Sequence, residues 1–143
     1  MKYHTCSPEE TEAVAERFAA SVRDGDCIAM FGGLGAGKTA FVRGLARGLG
    51  LDAEVSSPTF ALVHEHHGVH HLYHFDMYRV EGFDALYSTG FFDLLGTDAI
   101  LAIEWSENIV DELPPNRIEV RMTPGPGTDE RDIEITRLGG EDE

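Results

Sequence analysis

Residues 32 to 41 read GGLGAGKTAF. Gly32, Gly37, Lys38 and Thr39 satisfy the spacing G-x-x-x-x-G-K-[ST], the pattern of a phosphate-binding loop. Glycines let successive backbone N–H groups curl around phosphate oxygens with no Cβ in the way. A helix opening near Lys38 adds a terminus worth roughly half a positive charge. The expected nucleotide cradle is Gly35, Ala36, Gly37, Lys38, Thr39 and Ala40. Lys38 is placed to reach the terminal phosphates, and the Thr39 hydroxyl to bind Mg²⁺.

Phosphate chemistry also needs an acid. Ala99-Ile100-Leu101-Ala102-Ile103-Glu104 is an apolar strand ending in a carboxylate, which puts Glu104 beside the loop at the sheet's C-terminal edge. There Glu104 can complete a Mg²⁺ shell, directly or through water, or orient an attacking water. Asp76, in His74-Phe75-Asp76-Met77-Tyr78-Arg79, is a second candidate, as a water-positioning or metal-linked acid. Arg79 can stabilise charge or pair with an acid. Trp105, the single tryptophan, can pack beside the nucleotide or in the core. Six histidines between His64 and His74 raise a zinc site as a possibility. With no cysteine nearby, polar surface on an exposed hairpin is the preferred reading.

These residues need elements to hold them. Cys27 to Phe31 is a continuous apolar run, as in a central strand buried on both faces. A helix from Lys38 to Gly48 follows the loop, with Phe41, Leu45 and Leu49 on its buried side. Upstream, Ser7-Pro8-Glu9-Glu10 reads as a helix start with a capping box, continued by a Val14, Phe18, Val22 stripe and ended by Asp24-Gly25-Asp26. Phe60 to Glu65 and His70 to Asp76 read as strands around a Gly68 turn, and Gly82 to Leu95 as partly helical. Ile118 to Met122 and Ile133 to Thr136 read as a C-terminal β-hairpin around Pro124 to Gly127. Residues 139 to 143 read as a solvated tail.

A chain of 143 residues suits one α/β domain spanning 1–143, with no length for a separate substrate domain. Its 26 acidic against 11 basic residues give a formal charge of -15. Such a surface repels a nucleic acid, so direct nucleic-acid contact is not expected; it suits solubility or docking on a basic protein. Two cysteines make no disulfide framework, and neither a signal peptide nor a run of about 20 apolar residues is visible. A cytoplasmic protein with no membrane partner is the expectation.

GGLGAGKT, SSPTF at 56 to 60, HFDMYR at 74 to 79 and AIEW at 102 to 105 together resemble the TsaE family, in order and spacing across nearly the whole chain. The resemblance implies an ATP-binding, P-loop NTPase-like three-layer fold with a mixed central sheet. It implies a Mg²⁺-dependent ATPase of tRNA threonylcarbamoyladenosine biosynthesis, weak alone, that supports turnover of TsaB and TsaD, which modify adenosine 37. Thr39 and Glu104 would be the magnesium ligands. Ser57-Pro58-Thr59-Phe60 would be a first switch and Asp76 the acid of a second; Thr11 would contact the nucleotide. Gly33 and Ala40 stand where Asp and a second Thr are usual in that family. The alternative is a nucleotide-sensing P-loop module that regulates a partner without significant hydrolysis. A GTPase is disfavoured by the missing N-K-x-D base-reading motif.

Overall fold

The computed structural model describes residues 1–32, 37–51, 63–78, 80 and 82–139. Gly35 and Ala36 of the loop, the 57 to 60 segment, Arg79 and residues 140–143 of the tail lie outside them. The centre is β2 (Cys27–Phe31), buried at every position. It is hydrogen-bonded in parallel to β5 (Ile100–Glu104) on one side and β6 (Arg117–Pro124) on the other. A strand covered on both faces has no reason to alternate polar with apolar, which explains the unbroken apolar runs of β2 and β5.

The full sheet has seven strands in the order β1-β7-β6-β2-β5-β4-β3. β4 (His71–Asp76) runs parallel to β5. The margins are antiparallel: β3 (Val63–His67) on β4, β7 (Arg131–Leu138) on β6, and β1 (Lys2–Thr5) on β7. The sheet is therefore mixed, and the C-terminal hairpin is present with strands longer than its apolar residues suggest.

Helices cover both faces. α1 (Pro8–Phe18) and α2 (Lys38–Gly48) pack on one, around Phe18, Phe41, Leu45, Leu72, Ile100 and Val120. The opposite face carries α3 (Gly82–Tyr87), α4 (Phe91–Leu94) and a 3₁₀ segment over Ser106–Glu112, around Phe75, Leu86, Phe91, Ile103 and Ile109. The result is a three-layer α/β fold.

Ser7 caps α1 as its sequence implies, accepting from the Glu10 amide at 3.1 Å. Glu10 reaches back to the Cys6 amide at 2.7 Å, one residue earlier than a capping box requires. The helix ends at Phe18, sooner than expected, and a 3₁₀ turn over Ala19–Ser21 carries the chain on. Val22 is still buried there. Asp26 then accepts from the Arg23 amide at 2.8 Å and closes the turn into β2.

Candidate functional site

α2 opens at Gly37, whose φ of 91° lies in the left-handed region. A Cβ at Gly37 would make only ordinary contacts, 3.4 Å from Met122 Cε and 3.5 Å from Arg131 Nε, so the constraint is the backbone angle. Glycine adopts that angle without strain. The first amides of a helix have no intrahelical acceptor, so those of Lys38, Thr39 and Ala40 are presented at this terminus. The first helical bond is Phe41 N–H to the Gly37 carbonyl, at 3.1 Å.

Lys38 is 5% exposed. Its Nζ donates to the Gly32 carbonyl at 2.6 Å and lies 3.9 Å from the centre of the Trp105 ring. Burial lowers the ammonium below the ordinary lysine value, opposed by the charges of Glu104, Glu107 and Asp76. Trp105 is the non-glycine residue at positive φ (61°) among those described, and its ring also meets Tyr78 at 4.8 Å. Such a backbone costs about 1–2 kcal/mol. The ring packs against the core, as one reading expects, and it also contacts the Lys38 ammonium.

Glu104 ends β5 on the face covered by α2. Thr39 Oγ1 donates to its Oε2 at 3.4 Å, and His74 Nε2 donates to the same oxygen at 2.5 Å. Both members of the His74–Glu104 pair are buried. Asp76 is the register partner of Glu104 and half-buried, with Oδ1 accepting from the Tyr78 amide at 2.9 Å. Lys38, Thr39, Glu104 and Asp76 thus come together at one edge. Ala40 is buried in the first turn of α2. Thr11 is buried in α1, its hydroxyl 2.8 Å from that of Thr5. Among the described residues, no hydrogen bond joins it to the loop.

The donor set fits magnesium. Mg²⁺ takes oxygen ligands at about 2.0–2.1 Å in an octahedron, so adjacent ligands stand about 2.9 Å apart. The Thr39 and Glu104 oxygens need close by only a few tenths of an ångström, or admit a water between them.

Two residues escaped the sequence reading. His74 belongs by letter to the histidine cluster, yet it is fully buried and is not polar surface. The signal was parity: His74 and Asp76 are two apart on β4 and share a face. Glu107 accepts from the Gly32 amide at 2.9 Å and tethers the start of the loop, for which nothing in the spacing offered a cue. His67, His70 and His71 behave as the polar-surface reading expects. His67 Nδ1 meets His71 Nδ1 at 2.6 Å, and His70 meets Asp24 at 2.8 Å, on exposed or half-exposed side chains.

A model of the family described as threonylcarbamoyl adenosine biosynthesis protein TsaE matches residues 5–133. The chain is 39% identical over 140 residues to the tRNA threonylcarbamoyladenosine biosynthesis protein TsaE of Bacillus subtilis, covering 97% of this chain and 87% of that one. It is 36% identical over 133 residues to the protein of that name from Streptomyces coelicolor, covering 88% and 89%. The crystal structure of YdiB from Bacillus subtilis superposes with a TM-score of 0.77 at 36% identity, over 97% of this chain and 86% of that one. With Lys38 and Thr39 beside Glu104 at the start of α2, and with relatives matching over almost its full length, the chain belongs to the TsaE family of tRNA threonylcarbamoyladenosine biosynthesis proteins.

Proposed function

We propose that this protein binds Mg·ATP at the Gly35–Ala40 loop and hydrolyses it to support a TsaB–TsaD transferase. The observation that carries the reading is the meeting of Thr39 and Glu104 at the N-terminus of α2, behind a buried Lys38. A hydroxyl and a carboxylate converging beside a phosphate-loop lysine form a magnesium–phosphate arrangement. Magnesium there would neutralise charge as the terminal phosphoryl group is transferred.

The chain's own residues do the rest. Lys38 exchanges its contact with the Gly32 carbonyl for a terminal phosphate. His74 holds Glu104 in one orientation, so the carboxylate is aimed before the metal arrives. Asp76, one strand across, orients the attacking water. A surface of charge -15 gives no grip on a polyanion, so tRNA handling falls to the partners.

The test is Glu104→Ala. Mg²⁺-dependent phosphate release, assayed with TsaB and TsaD present, should fall by far more than ATP affinity does. Wild-type release from that variant would remove Glu104 from the mechanism.

A further inference from the structure

On the far edge of the sheet, β1 and the end of the β6–β7 turn bring together a second set of metal-ligating groups. His4 and Cys6 are two residues apart along the chain. Ligand atoms of His4, Cys6 and Glu130 all lie within 4.8 Å of one another. We propose that His4 Nε2, the Cys6 thiolate and a Glu130 carboxylate oxygen form a site for a borderline-soft divalent metal, zinc being the natural occupant.

The types and geometry both point that way. Nitrogen, sulfur and carboxylate oxygen are the zinc donor set, with three protein ligands leaving a fourth position open. Two ligands about 2.0–2.1 Å from a tetrahedral metal stand about 3.3 Å apart. His4 Nε2 and Glu130 Oε2 stand 3.1 Å apart. Glu130 is anchored for the task, its other oxygen accepting from the Gly127 amide at 2.5 Å.

The independent sign is the other face of the imidazole. His4 Nδ1 lies 2.8 Å from Asp132 Oδ1, and His4 and Asp132 are register partners across the β1–β7 ladder. A carboxylate on the nitrogen away from the metal is the usual way a zinc-bound histidine has its ring and tautomer fixed. Charge also balances, since one thiolate and one carboxylate neutralise a divalent cation. A metal there would tie β1 to the start of β7, where Arg131 extends toward Gly37. The site stands apart from Glu104, and its test does not depend on the nucleotide reading.

The test uses the tag-free, reduced full chain without nucleotide, titrated with Co²⁺ as a spectroscopic stand-in and then with Zn²⁺. A thiolate-to-cobalt charge-transfer band should saturate at one equivalent and be displaced by zinc. Cys6→Ser should abolish it, and Asp132→Asn should weaken affinity by about 10- to 100-fold. His71→Asn, on the histidine hairpin, should leave it unchanged. Zinc should also protect Cys6 from alkylation, with Cys27 silent because burial pushes its thiol up to about 12. A missing band, a band that survives Cys6→Ser, or one lost in His71→Asn would overturn the assignment.

Discussion

At the scale of single residues, the account rests on Lys38 and Glu104. Lys38→Ala should leave the fold intact and remove most ATP affinity. One charge-assisted phosphate contact is worth roughly 1.5–3 kcal/mol, about 10- to 150-fold in binding. Calorimetry that finds unchanged affinity would take the loop out of nucleotide binding. The role proposed for His74 runs through its contact with Glu104. His74→Ala should raise the Mg²⁺ concentration needed for tight ATP binding by about 10- to 100-fold, and His74→Gln should restore part of it. A loss of thermal stability with no change in magnesium requirement would make His74 a packing residue instead. Lys38, Thr39 and Glu104 were legible because spacing alone defines the loop and the strand-end acid. His74 was not, because its letter is shared by five neighbours and only strand register turns it inward against Glu104.

At the scale of elements, the two helices over the loop-side face fit at a glycine. A Cβ at Gly44 would lie 2.1 Å from the Glu12 carbonyl oxygen, a backbone atom of α1. Helix propensity favours Gly44→Ala by up to about 1 kcal/mol, but the clash forces the helices apart. The net loss should be about 1–3 kcal/mol, read by denaturant unfolding. Glu12 joins the same helices by accepting from Arg43 at 2.8 Å and Arg47 at 2.7 Å. Burial raises its pKa, but the two arginines outweigh that and hold it below the ordinary 4.5. The stabilisation is therefore present above that value and lost as pH falls through the lower folded one. Stability differences between wild type and Glu12→Gln, measured by chemical denaturation, should shrink on acidification below about 4.5. β2, α2 and β5 were readable from their apolar runs and periodicity. β1 was not: four residues with one fully buried side chain carry no pattern, and their order comes from β7, far along the chain. α1 was overextended because Val22 keeps the buried stripe going after the helix has ended.

At the scale of the whole molecule, seven strands and their helices leave no separate substrate domain among the described residues. The family places the chain in tRNA threonylcarbamoyladenosine biosynthesis, and the proposed dependence on partners is tested at this scale. A charge of -15 would speed and orient docking on a basic surface, and raising salt should weaken that assembly. A partner-supplied charge can accelerate phosphoryl transfer by about 10³–10⁵-fold in P-loop proteins. The most direct measurement is steady-state phosphate release at fixed Mg·ATP with the TsaB–TsaD pair titrated in. Hydrolysis should be slow for the isolated chain and rise to a plateau as the pair saturates it. A flat titration, with binding of the pair confirmed by co-sedimentation, would contradict the account and leave a nucleotide sensor that does not hydrolyse.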